Sequence, residues 1–423
     1  MRVAHVNVED ARAGAARGAA WLHAALRERG VDSRMVVSVK RSDDPSSHGG
    51  ATLLHRKLAA VRNRLESAAI PGRGKSNAAF SAAWVPTALP HRLRRLRPDV
   101  THLHWVARGV VRIEQLAELP GPIVWTLRDM WPFTGGCVYA GSCERFTDRC
   151  GRCPVLDSDR ERDLSRRVWH RKREAWAQLP VTAVGLSSWI ADAARRSSLF
   201  GDRDIRVIPN GLDPGVFYPE DRFRARKAMG LPAHARIIAF GAIHGTASPR
   251  KGFDLFREAL ERFSRCDNIG ELFCLVFGCD DPVEIERQLP VPGRVLGPVW
   301  DDAKLRRLYA AADITAVPSR FESFGKTAME SMACGTPVVS FDTSGLRDIV
   351  DHEATGYRAA CYDAEHFAHG LAWVLANPPR HRQLCDAARA AVLDRFTIAE
   401  QARRYHELYG ELLEGPPLTT GAS

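Results

Sequence analysis

Short apolar runs alternate with longer segments of helical periodicity along most of the chain. The first series contains strands at 3–8 and 35–39 with a helix between them. A second series starts with a strand at 237–242 and continues with strands at 272–278 and 314–317. Strands that alternate with helices build parallel sheets covered by helices, so the pattern predicts an α/β fold with two Rossmann-like domains.

A turn-rich segment at 207–213, flanked by prolines, is the best candidate for a domain boundary. It predicts an N-terminal domain over 1–207 and a C-terminal domain over 208–395. A last helix is predicted over 396–414, followed by a tail at 415–423. Between the strands of the first domain, residues 41–98 are rich in Ser, Asp, Gly, Pro and Arg. We interpret them as a mobile insertion with weak helical periodicity near Leu53 to Leu65.

Length and composition describe a globular protein. The chain has 423 residues, of which 45% are hydrophobic, with a mean hydropathy of -0.24. No apolar stretch approaches the roughly 18 residues that cross a bilayer, and no signal-peptide pattern opens the chain. We therefore expect a cytoplasmic protein, with the inner face of the membrane as the alternative location.

The net charge of +10 comes from the first half of the chain. Residues 1–200 hold 33 Lys and Arg against 19 Asp and Glu, and the surplus concentrates between Arg56 and Arg97. Such a segment fits peripheral contact with an anionic membrane, whereas a solvated arginine-rich surface is the simpler interpretation. No nucleic-acid recognition motif accompanies the charge, so we do not expect a nucleic-acid partner.

The densest candidate chemistry lies at 312–339. Here an apolar strand is followed by a polar turn and by a helix that opens near Gly325, with Ser323 as its expected N-cap. The amide N–H groups at a helix N-terminus bind anions. Glu322 and Glu330 lie about two helical turns apart, and carboxylates accept hydrogen bonds from the paired hydroxyls of a sugar. The segment predicts a sugar-phosphate or nucleotide ligand.

Two adjacent cations, Arg250 and Lys251, precede Gly252 at the entry to a helix predicted over 252–264. Positive side chains, amide donors and the helix dipole converge at such a position, which favours a diphosphate ligand. An ordinary surface Arg-Lys pair is the alternative interpretation.

Three segments resemble the retaining GT-B glycosyltransferases of family four, also called glycosyl transferases group 1. They are the E-x7-E pattern within 318–339, the Arg-Lys-Gly of 250–252 and the hinge-like Ile-Pro-Asn-Gly-Leu-Asp of 208–213. The resemblance implies two Rossmann-like domains facing across a cleft, with a C-terminal helix returning to the N-terminal domain. It implies retaining hexosyl transfer from a nucleotide-sugar to a saccharide or lipid-linked saccharide, with no cofactor required for catalysis.

The resemblance also implies roles for individual residues. The expected catalytic residues are Glu322, Arg250, Lys251 and Arg128. The expected donor-binding residues are Gly14, Arg250, Lys251, Gly297, Val299, Glu322, Ser323, Phe324, Gly325, Lys326 and Glu330. The expected acceptor-side residues are Arg17, His104 and Asp129.

The segment at 126–137 resembles a Thr-Leu-His-Asp-Met-Trp-Pro-Phe-Thr-Gly-Gly-Cys run of the exopolysaccharide, or colanic-acid, branch of that family. Arg128 stands where the branch has a histidine beside the reacting sugar, so we assign no catalytic histidine. Arg128 has the fixed charge and planar fork that pair with phosphate or an acidic acceptor. His102 and His104 alternate onto one face of a predicted strand, and we expect one buried and one cleft-facing ring.

Four cysteines follow at once, namely Cys137, Cys143, Cys150 and Cys153. The C-x2-C half of the group has zinc-knuckle spacing and the other half is looser. A structural zinc is our first expectation, and four reduced thiols are the alternative. Disulfides do not fit the cytoplasmic setting inferred above.

Two further functions fit the same residues. One is a nucleotide-sugar epimerase of the GT-B fold, which would form product without an acceptor. The other is a non-catalytic donor-binding partner in a polysaccharide assembly complex, which the arginine at position 128 favours.

Overall fold

The computed structural model describes residues 1–12, 14–50, 52–68, 70, 80–241, 246–266 and 270–415, with only the backbone at 53–56. The chain folds into two compact units. Unit 1 contains Met1–Leu186, Ile190–Ile208 and the described residues from Ile398 onward, and unit 2 contains Ser187–Trp189 and Pro209–Thr397. The predicted tail lies outside the described residues from position 416.

Unit 1 is built on a parallel sheet of seven described strands with the order β3-β2-β1-β4-β5-β6-β7. The strands are β1 Arg2–Glu9, β2 Asp32–Val39, β3 Ser47–Gly50, β4 Val100–Leu103, β5 Ile123–Leu127, β6 Val181–Gly185 and β7 Asp204–Val207. The helices before unit 2 are α1 Gly14–Glu28, α2 Leu53–Ala68, α3 Leu89–Leu96, α4 Leu164–Trp176 and α5 Ser188–Arg196. The central strands β4, β5 and β6 are buried along their whole length, as parallel strands covered on both faces must be.

Unit 2 repeats the same construction with a parallel sheet of six described strands in the order β10-β9-β8-β11-β12-β13. The strands are β8 Arg236–Gly241, β9 Leu272–Phe277, β10 Gly293–Leu296, β11 Ile314–Val317, β12 Val338–Phe341 and β13 Gly356–Ala359. The helices are α6 Arg222–Met229, α7 Phe253–Ser264, α8 Pro282–Arg287, α9 Asp302–Ala311, α10 Lys326–Ala333, α11 Ala364–Ala376 and α12 Pro378–Arg395. The prediction of two Rossmann-like parallel-sheet domains is confirmed.

The last helix, α13 Ile398–Glu414, belongs to unit 1. Its tyrosines enter the core of that unit, where Tyr405 Oη lies 2.6 Å from Thr126 Oγ1 and Tyr409 Oη lies 2.6 Å from His102 Nδ1. Both rings are fully buried. The expected return of the C-terminal helix to the first domain is confirmed.

The segment at 41–98 agrees with its prediction in helix α2, which covers the expected helical periodicity near Leu53 to Leu65, and differs elsewhere. It contains strand β3 and helices α2 and α3, so part of the expected mobile insertion belongs to the fold. Strands β3, β7 and β10 were not predicted because each is short and has few apolar residues, and pairing with the neighbouring strand decides their conformation. Every helix in the described ranges is too short or too polar to span a lipid bilayer.

Candidate active site

The sheet of unit 2 reverses its direction of growth between β8 and β11. Strands β9 and β10 continue on one side, whereas β12 and β13 continue on the other. Ligands of open parallel sheets bind beyond the carboxyl ends of the strands at such a switch point. The loops that leave β8 and β11 carry Arg250, Lys251 and Glu322, so the sheet topology brings these three residues together.

Gly252 allows the two loops to touch. It follows a 3-10 turn at Pro249–Lys251, has a φ of +69° and directly precedes α7. A Cβ atom at this position would lie 1.9 Å from the carbonyl oxygen of Pro318, the residue after β11. Because only glycine permits this approach, Arg320 can donate a backbone hydrogen bond of 2.7 Å to the carbonyl of Arg250.

Both predicted cations form ion pairs with Glu322. Lys251 Nζ lies 2.5 Å from Glu322 Oε1, and Arg250 Nη1 lies 3.3 Å from Glu322 Oε2. Ser319 also donates to Glu322 Oε1 at 3.0 Å, and the amide of Glu322 donates to Ser344 Oγ at 2.9 Å. Neither serine was singled out from the sequence, although Ser319 lies only three residues before the glutamate.

The charges in this cluster keep Glu322 ionised. Burial alone raises the pKa of its carboxyl group, but Lys251 and Arg250 outweigh burial and lower that pKa to about 2. Burial also lowers the pKa of Lys251, and the carboxylate of Glu322 acts in the opposite direction. At neutral pH Glu322 is therefore an acceptor of hydrogen bonds and has no proton to give.

Helix α10 begins beside this cluster. Its N-cap is Gly325, with a φ of +122°, and no side chain in the described part of the chain caps the helix. The expectation that Ser323 is the N-cap is therefore wrong, because the chain enters the helix two residues later through a conformation that favours glycine. A Cβ atom at Gly325 would lie 2.7 Å from Leu346 Cδ2, so the glycine also allows close packing.

Glu330 lies inside α10 and is 3% exposed. Tyr309, on the neighbouring helix α9, donates a hydrogen bond of 3.0 Å to Glu330 Oε2. Lys326, one turn earlier on α10, places its Nζ 4.0 Å from Glu330 Oε1. Tyr309 was missed from the sequence because only the packing of α9 against α10 brings it to the glutamate.

The other residues predicted to bind the donor are scattered over several elements. Phe324 is buried, with its ring centroid 5.6 Å from that of Phe396. Val299 is buried and Gly297 half-buried in the segment after β10. Gly14 is exposed at the start of α1 in unit 1.

In unit 1, the polar residues after β4 and β5 form one buried group. Arg128 donates through Nη2 to His104 Nδ1 at 3.2 Å, and burial lowers the pKa of Arg128 to about 10. Asp129 accepts a hydrogen bond of 2.5 Å from Trp105 Nε1 and one of 2.9 Å from the amide of Trp131. Arg17, also predicted for this side, lies on α1, where its guanidinium stacks 4.7 Å from the Trp21 ring.

A third histidine, His5 on β1, joins His102 and His104. The strand register pairs His5 with His102, and His5 Nδ1 lies 3.0 Å from His104 Nε2. Because Arg128 can only donate, His104 is protonated on Nε2 and donates to His5. All three rings are buried, where the sequence led us to expect one cleft-facing ring. Burial lowers the pKa of each well below its ordinary value.

Two family models match successive parts of the chain. "Glycosyltransferase Family 4" covers residues 12–216, and "Glycosyl transferases group 1" covers residues 240–391, which include the Lys251 and Glu322 cluster. The chain is a glycosyltransferase of the GT-B fold, similar to family 4 in its N-terminal part and to group 1 in its C-terminal part. This glycosyltransferase therefore has the fold and the general activity that the sequence resemblance implied.

Three proteins illustrate the similarity of the glycosyltransferase to known enzymes. The D-inositol 3-phosphate glycosyltransferase of Segniliparus rotundus is 27% identical over 403 residues, which cover 93% of this chain and 83% of the relative. The sucrose-phosphate synthase of Thermosynechococcus elongatus has a TM-score of 0.70 at 20% identity, over 97% of this chain and 98% of its own. Anabaena HepE, solved with UDP and glucose, has a TM-score of 0.66 at 18% identity, over 97% and 100%. The relative from Segniliparus gives the expected exopolysaccharide branch no support, because its name specifies an inositol phosphate.

Unit 1 of the glycosyltransferase contains a cavity of about 720 Å3 near the ends of β1, β2 and β4. Trp105 forms part of its wall, and Glu9 is the one acidic residue among the described lining residues. Glu9 pairs with Arg41 at 2.5 Å. The arginines that line the cavity are Arg41, Arg62, Arg92 and Arg108. Sequence reasoning located the basic segment that supplies Arg62 and Arg92, but it did not predict a cavity.

Proposed function

We propose that the glycosyltransferase moves a hexosyl group, with retention of the anomeric configuration, from a nucleoside-diphosphate sugar to an anionic acceptor. The observation that carries the proposal is the convergence of Lys251 and Arg250 on the buried Glu322, beside the uncapped N-terminus of α10. Two cations and one carboxylate leave a net charge of +1 at this point. A diphosphate complements that charge and the amide donors of the helix end.

Lys251 and Arg250 would also help the nucleoside diphosphate to leave. Negative charge develops on the phosphate oxygen as the bond to the sugar breaks, and Lys251 and Arg250 would stabilise it in a partly water-excluded site. Glu322 holds Lys251 in position before the donor arrives. Since its pKa is about 2, we assign Glu322 to sugar hydroxyls and to the positioning of Lys251, and not to proton donation.

Retention is proposed from the resemblance to retaining glycosyltransferases of family four, and the state of the two glutamates bears on how it would occur. Glu322 is held by Lys251 and Ser319, and Glu330 by Tyr309, so neither is assigned as a nucleophile. We favour a front-face displacement, in which the acceptor oxygen attacks from the side that the diphosphate leaves. The departing phosphate oxygen would then take the acceptor proton.

The basic cavity of unit 1 supports an anionic acceptor. Its described lining has four arginines against one glutamate, and arginine binds phosphate through paired N–H donors. The relative from Segniliparus is named for an inositol phosphate, which is a phosphorylated polyol. We therefore propose a phosphorylated polyol or a phosphate-linked saccharide as the acceptor.

The test is a product assay with the full chain. Each of several UDP-sugars is incubated with phosphorylated polyols, with their dephosphorylated counterparts and without acceptor, and products are identified by NMR. We expect transfer to the phosphorylated acceptors, with the donor's anomeric configuration kept in the product. Product with inverted configuration would contradict retention, and an altered sugar formed without acceptor would support an epimerase instead.

A further inference from the structure

The four cysteines predicted to bind zinc lie around one small cavity in unit 1. The cavity has a volume of about 20 Å3, room for an ion but too little for an organic ligand. Three of the four thiols are buried and the fourth is half-buried. The fold of residues 135–165 thus places four cysteine sulfurs, which are soft metal ligands, around one cavity.

Backbone amide groups point at two of the sulfur atoms. Gly135 donates to Cys150 Sγ at 3.2 Å, and a Cβ atom at Gly135 would lie 2.9 Å from the same sulfur. The amide of Leu156 donates to the carbonyl oxygen of Cys153 at 3.1 Å, and the amides of Val155 and Leu156 favour the thiolate of Cys153. Hydrogen bonds of this kind stabilise a thiolate more than a neutral thiol, since they strengthen with the charge of the acceptor.

The turn between the last two cysteines has a strained backbone. Cys150, Gly151 and Arg152 have φ values of +55°, +100° and +44°. Non-glycine residues seldom adopt such angles, and they keep them where the surroundings demand it, as at ligand sites. The turn curls the chain so that Cys150 and Cys153 line the same cavity.

A buried lysine lies beside the cluster. Lys172 on α4 is fully buried, donates to the carbonyl oxygens of Trp131 and Thr134, and places its Nζ 3.8 Å from the centre of the Trp131 ring. Within the described ranges, no carboxylate forms an ion pair with it. A buried ammonium group is stabilised by negative charge nearby, and Cys137, Cys150 and Asp129 are the groups whose negative charge favours the protonated form of Lys172.

We propose that Cys137, Cys143, Cys150 and Cys153 bind one structural zinc ion and that Lys172 offsets its negative charge. Four thiols lose four protons to solvent and form four Zn–S bonds, which gives a complex of charge -2. Lys172 reduces the local charge to -1. The ion would tie the segment after β5 to the N-terminal side of α4, independently of the function proposed above.

The three buried histidines are the competing metal site. Their ring nitrogens are the one described set of three ligand atoms mutually within 4.8 Å. Five of the six nitrogens have hydrogen-bond partners, however, because His102 bonds to Tyr409 and Thr126, His5 Nδ1 bonds to His104, and Arg128 donates to His104 at 3.2 Å. Among the described residues His5 Nε2 alone of the six has none. Of the four described cysteine sulfurs, no three lie mutually within 4.8 Å, so the cysteine side chains would rotate inwards to form a tetrahedron around one zinc ion.

The experiment measures the metal content of the full chain, purified under reducing conditions from zinc-supplemented medium. We expect one zinc per chain, four thiols that become titratable only after chelation, and loss of the metal in the double variant Cys150→Ser, Cys153→Ser. Cys266→Ser, at an exposed cysteine of unit 2, is the matched control and keeps the metal. If the double variant does not fold, cobalt reconstitution of the unaltered protein still reports tetrahedral thiolate ligation through its absorption spectrum.

Folded protein without zinc after reconstitution, or with four freely titratable thiols in this cluster, overturns the site. The role of Lys172 is tested by Lys172→Gln, which keeps a donor but removes the charge. We expect zinc affinity, measured by chelator competition, to fall about tenfold or more. An unchanged zinc affinity in Lys172→Gln would show that Lys172 does not offset the negative charge of the zinc site.

Discussion

Lys251 Nζ lies 2.5 Å from Glu322 Oε1, although the two residues are 71 positions apart in the sequence. The pair joins the loop after β8 to the loop after β11, and Gly252 makes the contact possible. A lysine held in this way loses little conformational freedom when an anion binds, so the proposed diphosphate site exists before the donor arrives.

The first prediction concerns the acid stability of unit 2. The pKa of Glu322 is about 2 in the folded chain and 4.5 ordinarily, so its ionised form stabilises the fold above pH 4.5 and this contribution is lost as the pH falls towards 2. The shift corresponds to about 3 kcal/mol. Glu322→Gln should therefore be less stable than the unaltered chain at pH 7, and the difference should shrink on acidification.

Denaturant unfolding at pH 7, 4 and 3 measures this difference. Glu258→Gln is the control, because Glu258 is exposed and, among the described residues, its ion pair is with Arg262 one turn away. We expect it to change the unfolding free energy by less than about 0.5 kcal/mol at every pH. A constant deficit for Glu322→Gln from pH 7 to 3 would show that the ion pair is not responsible.

The buried histidines predict a second pH dependence, in unit 1. The pKa values of His5, His102 and His104 are lowered in the folded state, so on acidification through about 6.5 the unfolded chain takes up protons first. Stability should fall below pH 6.5 by up to about 4 kcal/mol per pH unit for three histidines. Unfolding free energies measured between pH 7.5 and 5.5 test the slope, with His170→Gln, at an exposed histidine, as the control. A stability that does not change with pH would mean that the three rings titrate in the fold as they do in the unfolded chain.

Removing Arg128 should weaken this dependence of the unfolding free energy on pH. Its positive charge contributes to the low pKa of His102 and His104, with burial as the larger cause. Arg128→Met removes the charge, so the pKa of both rings should rise and the acid destabilisation should become weaker. Ring-proton chemical shifts measured against pH would detect the change in pKa. If the histidines of the variant titrate as in the unaltered chain, the charge of Arg128 does not influence their pKa values.

The acceptor proposal predicts an effect of charge in the basic cavity. Arg62→Gln should raise KM for a phosphorylated acceptor about tenfold, since one charge-assisted contact is worth roughly 1 to 2 kcal/mol, and should leave kcat little changed. Arg95→Gln is the matched control, because Arg95 belongs to the same basic segment but is exposed and outside the cavity lining. Equal KM values for the two variants would show that the cavity does not bind the acceptor.

The parts of the fold that the sequence predicted are those decided by local pattern. Strand Ile123–Leu127 is apolar at four of its five positions and helix α9 follows an Asp301 N-cap, so both were located closely. The pairing of His5 with the histidines of β4 depends on strand register, and Tyr309 reaches Glu330 only through helix packing. Neither relationship leaves a signal in the spacing of residues along the chain.

The proposed donor site requires Lys251 to help hold the diphosphate of the donor. Isothermal titration of UDP into the unaltered chain, Lys251→Met and Lys227→Met tests it most directly, since Lys227 is an exposed lysine of the same unit. We predict that Lys251→Met weakens UDP binding by about tenfold or more, as expected for the loss of a charge-assisted hydrogen bond, while Lys227→Met binds normally. Equal UDP affinity in all three proteins, each shown to be folded, would contradict the account.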